Sequence, residues 1–169
     1  MRSALCALLL MAFMVLASCA AWQQAGRGPG KDAVSLAFEA DRNLNWRGGE
    51  PHTLALCVYQ LSDTKAFEGL AANEDGLHRL LQCTGFDPSV VAARRVIVQP
   101  GKGRRVTMDR AEGARYVGIV AGYYAVDRDR VVRILRIPLQ EQGTFFKTMV
   151  PAPLKAALRL GPKEILPSP

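Results

Sequence analysis

The chain has 169 residues, 49% hydrophobic, 7% aromatic and 22% charged. That length suits one domain, and the charged fraction, without a long polar tract, excludes wholesale disorder. With 22 Lys and Arg against 15 Asp and Glu the net charge is +7, and two histidines leave little for a His-built metal site.

The N-terminus reads as a targeting segment. Arg2 precedes an unbroken apolar run over residues 4–17. That run is too short for a comfortable membrane span and suits the apolar region of a signal peptide. Leu16-Ala17-Ser18-Cys19 ends it in the pattern of a bacterial lipobox. The small residues let a peptidase reach the backbone, and only a thiol can form the thioether to diacylglycerol. Residues 1–18 are therefore expected to be a lipoprotein signal peptide, with Cys19 the lipidated N-terminus and that covalent lipid the sole cofactor. Ala20, where aspartate would retain the protein, points to the periplasmic face of the outer membrane. Residues 19–33 carry Gly26, Gly28, Pro29 and Gly30 and read as a flexible tether. The folded domain is expected over 34–169.

From Val34 the dominant period is two. Val34, Leu36 and Phe38 alternate with Ser35, Ala37 and Glu39, and residues 54–61 form a continuous apolar run, as in a strand buried on both faces. Further strands are predicted over 95–99, 105–109, 116–124, 131–138, 154–160 and 164–166. Turn residues separate them, among them Gly101-Lys102-Gly103, which reads as a hairpin turn. Between Asp63 and Ser89 the spacing changes: Phe67, Leu70, Leu77, Leu80 and Leu81 recur at helical intervals, with Asp63 and Asp75 as helix starts. The expectation is an all-β fold, a β-sandwich of two sheets with seven to eight strands. A small helical insertion follows the second strand, at about 63–89.

Of four cysteines, Cys6 leaves with the signal and Cys19 is acylated. Cys57 and Cys83 remain, in a compartment where disulfides persist. A bridge would close a 26-residue loop, worth roughly 3.5 kcal/mol by chain entropy; the other reading is two buried, unpaired thiols. Their spacing excludes a CxxC redox or zinc motif.

Catalytic chemistry is not visible. Ser35, Ser62 and Ser89 lack a nearby His or glycine framing, and His52 and His78 are isolated. No catalytic residue and no metal ligand is assigned. Arginines and lysines cluster at Arg94, Arg95, Lys102, Arg104 and Arg105, and again at Arg128, Arg130, Arg133 and Arg136. For an exported lipoprotein these read as solvated faces or as contacts to anionic lipid or an acidic partner, not as a nucleic-acid site. The residues thus point to a scaffold or binding protein rather than an enzyme. A periplasmic small-molecule or carbohydrate-binding lipoprotein is the alternative reading.

The order of features is more specific than any one of them. A lipobox, a tether, a first strand, an Asn-containing loop ending in Pro51 and then Val58-Tyr59-Gln60-Leu61 resembles the TssJ family, the outer-membrane lipoproteins of type VI secretion. Phe67 and Leu70 in the helical insertion, Pro100-Gly101 before a strand, Val117-Gly118-Ile119-Val120-Ala121 followed by Tyr123, and the closing 154–160 and 164–166 segments continue it. The Asp-Arg-Asp-Arg segment at 127–130 and the Cys57/Cys83 pair depart from the family pattern. The resemblance implies a transthyretin-like sandwich. It also implies a role in docking the periplasmic domain of TssM within a TssJ-TssL-TssM-like membrane complex. It assigns partner contact to the loop Asn43, Leu44, Asn45, Trp46, Arg47, Gly48, Gly49, Glu50 and Pro51. An exposed Trp beside an Arg is the composition of an interface hot spot, and two glycines would let the loop project and adapt. Trp46 could instead fold back into the core.

Overall fold

The computed structural model describes residues 30–124 and 127–166. The expected signal peptide, Cys19 and the tether through residue 29 lie outside them. In chain order the elements are β1 (Gly30–Ala40), β2 (Leu54–Leu61), α1 (Lys65–Ala71), α2 (Glu74–Leu80), β3 (Val90–Val98), β4 (Gly103–Arg110), β5 (Tyr116–Ala121), α3 (Arg128–Val131), β6 (Val132–Arg136), β7 (Leu139–Gln142), β8 (Thr148–Pro151) and β9 (Leu154–Leu160).

Two sheets carry the fold: β4-β1-β9 and β3-β2-β5-β6, with β7-β8 a separate hairpin. Val34, Leu36 and Phe38 of β1 are almost fully buried between the sheets, as their alternation requires. β1 pairs antiparallel with β4 but parallel with β9, Val34 standing opposite Leu154. A parallel partner so far along the chain has no local signature. β2 is central in the other sheet, and its two faces explain its continuous apolar run. One face points into the sandwich. The helical insertion covers the other: Tyr59 meets Phe67 and Phe86 edge-on at 5.8 and 5.4 Å and donates its hydroxyl to the Leu80 carbonyl at 2.5 Å. Gly118 on β5 leaves the space that Phe67 occupies; a Cβ there would stand 2.9 Å from the ring.

Gln60 ties the sheets together. Its amide donates to the Asp109 carbonyl at 2.8 Å and accepts from the Ala111 N–H at 2.8 Å, so this buried polar group is satisfied on both sides.

Several expectations are corrected. β1 begins at Gly30, inside the expected tether, because Gly30 pairs with Arg110 and the Asp32 N–H donates to the Asp109 carboxylate at 2.9 Å. The Gly101-Lys102-Gly103 turn closes no hairpin: β3 and β4 lie in different sheets, and the turn carries the chain between them. Gly101, at φ +66°, donates its N–H to the Asp41 carbonyl. The 164–166 segment forms no strand, only a bridge from Ile165 to Leu160. The strand expected over 116–124 ends at Ala121. Among the described residues nine strands form rather than seven or eight, the additional pair being β7 and β8; all four β7 residues are exposed, so no apolar period marks them.

The registers define two ends of the sandwich. Gly30 lies beside Arg110, Leu61 beside Tyr116, and Tyr116 beside Arg136. The loops after β1, β3, β5 and β9 gather at the opposite end.

Candidate interaction site

The loop after β1 is held from both sides by its own polar groups. The Asp41 carboxylate accepts the Asn43 N–H at 2.7 Å and the Asp41 carbonyl accepts the Leu44 N–H at 3.1 Å, a local turn of the kind aspartate favours. Leu44 then drops into the core, fully buried. Asn45 is also buried, with φ at +51°, a left-handed conformation that asparagine tolerates better than most residues. Its side-chain amide donates to the Thr53 carbonyl at 3.0 Å and accepts the Tyr124 N–H at 2.9 Å. These two residues turn inward and hold the loop in place.

The next two residues face outward. Trp46 donates its backbone N–H to the Pro162 carbonyl at 2.8 Å, while its side chain is 38% exposed and stands outside the core cluster. Arg47 and Glu50 exchange backbone hydrogen bonds at 3.0 and 3.2 Å across Gly48 (φ +64°) and Gly49 (φ +91°). Positive φ at both central residues is the signature of a tight two-residue hairpin turn. The glycine pair thus forms the turn that projects the loop, with Arg47 and Glu50 closing it.

Tyr124, in the loop after β5, completes the surface. It is 51% exposed, the Arg47 guanidinium lies 4.6 Å from its ring centroid, and the His52 ring meets it edge-on at 5.2 Å. A cation over an exposed tyrosine is worth about 0.5–1 kcal/mol. The His52 Nδ1 also lies 3.1 Å from the Glu50 carbonyl. Trp46, Arg47 and Tyr124 thus present an aromatic and cationic face on a hydrogen-bonded backbone. Sequence reasoning named Trp46 and Arg47 but missed Tyr124, which reads as the end of a strand, and treated His52 as isolated. Nothing in the local sequence links Tyr124 to the loop, whereas His52 directly follows Pro51 and that adjacency could have placed it there.

Below this face Tyr123 is buried and donates its hydroxyl to the Glu164 carbonyl at 2.8 Å, pinning the segment after β9. Burial raises its pKa well above the ordinary tyrosine value, the Glu164 charge adds to the rise, and Arg133 opposes it. Arg130 pairs with Asp127 and Glu164 at 3.0 and 3.2 Å, and Arg133 donates to the Ile165 carbonyl. Much of this basic cluster is thus occupied in holding its own loop.

Cys57 and Cys83 are joined as a disulfide with Cα atoms 5.3 Å apart, which decides against free thiols. The bridge fastens the end of the helical insertion to β2. Cys19 lies outside the described residues. Arg94 donates to the Thr107 carbonyl, and Arg95 to the carbonyls of Leu81 and Gln82, beside an open groove that runs between β3 and β4. Among the described residues no three His, Cys, Asp or Glu side chains converge as metal ligands.

Comparison with known proteins agrees with this architecture. The family model of the type VI secretion lipoproteins, T6SS-SciN (VasD, EvfM, TssJ), matches residues 32–161. The T6SS lipoprotein TssJ1 from Pseudomonas aeruginosa is similar at 26% identity with a TM-score of 0.58, over 83% of this chain and 99% of that one. Serratia marcescens Lip, a membrane-bound component of the type VI secretion system, is similar at 24% identity and TM-score 0.61, over 80% and 96%. A chain from the structure of the T6SS protein TssM C-terminal domain from EAEC shares the fold at 19% identity and TM-score 0.59, over 80% and 98%. No curated protein matches by sequence. With the family pattern running through most of the folded sandwich, the chain belongs to the TssJ family of type VI secretion lipoproteins.

Proposed function

We propose that this protein is the docking lipoprotein of a type VI secretion membrane complex. Acylated Cys19 anchors it to the periplasmic face of the outer membrane. The loop 43–51, completed by Tyr124, binds the periplasmic C-terminal part of TssM, and so bridges inner and outer membranes within a TssJ-TssL-TssM-like assembly. The family is one of secretion lipoproteins, not of enzymes, and the role is one of binding.

The observation that carries this reading is the ordered, outward-facing set of Trp46, Arg47 and Tyr124. Trp and Arg are the residue types that dominate interface energetics, and here a hydrogen-bonded glycine turn displays them. Leu44 and Asn45 belong to the same loop but act inward.

Calorimetric titration with a periplasmic TssM fragment tests it. Trp46→Ala should weaken binding by about 2 kcal/mol or more, some thirtyfold in Kd. The melting temperature should stay put, because the Trp46 side chain is outside the core cluster. A folded Trp46→Ala protein with unchanged affinity would place the interface elsewhere.

A further inference from the structure

The β7-β8 hairpin displays the two most exposed large apolar side chains among the described residues. Phe145 is 94% and Phe146 87% exposed, with Leu139 and Met149 half exposed on the arms. Phenylalanine is ordinarily among the buried residues, and a pair of them in water marks a contact surface. The tip is built rather than loose. Four residue pairs, from Leu139–Pro151 to Gln142–Thr148, close the arms, and Lys147 pairs with Glu141 at 2.8 Å. Gly143 has φ at +110°, and a Cβ there would collide with the Phe146 carbonyl, so only glycine forms this turn.

Position says what the tip meets. The hairpin is rooted where the Ile137 N–H donates to the Arg115 carbonyl and the Ala152 N–H to the Pro138 carbonyl. An open groove beside it is lined by Leu139, Met149 and Arg110, and Arg110 pairs with Gly30 at the start of β1. The chain leading back to Cys19 therefore leaves from the end at which the hairpin is rooted. The residues between Cys19 and Gly30 span at most about 40 Å fully extended. A tether that short holds any bilayer attached to Cys19 at high effective concentration beside this end. Arg115 and Arg136, both exposed near the hairpin's root, suit anionic headgroups. Loop 43–51 is at the other end of β1, so both surfaces can be engaged together.

We propose that the β7-β8 hairpin is a second membrane contact, with Phe145 and Phe146 entering the headgroup and acyl boundary of the phospholipid leaflet that holds the N-terminus. This rests on the reading that Cys19 is acylated. The acyl chains supply the anchorage; the hairpin sets the orientation, turning loop 43–51 away from the bilayer toward a partner.

The test uses the acylated full chain in phosphatidylethanolamine–phosphatidylglycerol vesicles, with an environment-sensitive fluorophore on Thr144→Cys or, at the opposite end, on Glu50→Cys. Flotation reports the acyl anchor independently. The label at 144 should be blue-shifted and quenched by doxyl-labelled lipid, while the label at 50 stays in water. In the Phe145→Ser/Phe146→Ser background the lipid-embedded fraction at 144 should fall about tenfold or more. A label at 144 that stays aqueous in a protein that floats overturns the hairpin contact and leaves the anchor standing. A label shielded only after a TssM fragment is added makes the hairpin a protein contact and overturns the proposal as well. Failure to float overturns acylation at Cys19 and the hairpin contact together.

Discussion

The side-chain oxygen of Asn45 accepts the backbone N–H of Tyr124 at 2.9 Å, joining two loops whose residues are 79 apart in the chain. Through that bond the loop after β1 and the loop after β5 become one surface. Asn45 is buried and its other amide contact, to the Thr53 carbonyl, closes its own loop. The exposed face is thus supported by a residue that is itself buried.

Replacing Asn45 by leucine should therefore act at a distance. The Thr53 carbonyl and the Tyr124 N–H would both lose their partner, a loss of about 1–3 kcal/mol in denaturant unfolding. TssM affinity should fall with it. Tyr124→Ala, removing a half-exposed ring, should leave stability nearly unchanged while weakening binding. Equal destabilisation by both substitutions would contradict this division of roles.

Joining Cys57 to Cys83, 26 residues apart, should contribute about 3.5 kcal/mol to stability by constraining the unfolded chain. A Cys57→Ala/Cys83→Ala protein should unfold at correspondingly lower denaturant concentration. Intact mass after alkylation without reduction should show neither thiol modified in wild type.

Alkaline pH should unfold the domain through its buried phenols. Burial raises the pKa of Tyr59 above the ordinary 10.0 and raises that of Tyr123 further. In the unfolded chain both ionise at the ordinary value, so the folded state binds their protons more tightly. Their stabilisation is complete below pH 10 and is lost progressively as pH rises above it. Equilibrium denaturation at pH 9 and above 10 should show this fall, and Tyr123→Phe should lessen it. A profile unaltered by that substitution would exclude Tyr123 as a contributor.

Cys19→Ser should release the protein into the soluble periplasmic fraction and abolish secretion while the sandwich still folds, because none of the contacts described within the sandwich involves Cys19 and its first strand begins at Gly30. Persistence of the Cys19→Ser protein in outer membranes at high salt would mean that some other element anchors it.

Local order is largely legible in the amino-acid sequence. The alternation of Val34, Leu36 and Phe38 and the apolar run at 54–61 each encode a strand within a few residues, since side-chain period is a property of neighbouring positions. Helical spacing from Phe67 to Leu81 places the insertion for the same reason. The β7-β8 hairpin escapes such reading because β7 is exposed throughout, and a strand that buries no face carries no period. Tyr124 escapes it because its role depends on a loop 79 residues away.

By itself the sequence determined the sandwich class, the place of the helical insertion and the two cysteines available for a bridge, all from composition, local spacing and count. Only the tertiary structure decided that β9 lies parallel to β1, that β3 and β4 part into different sheets, and that Leu44 and Asn45 turn inward while Trp46 and Arg47 turn outward. Each of these is a pairing across space. Burial at a loop position depends on which distant strand or loop supplies the facing surface, and nothing in a residue's immediate neighbours specifies that.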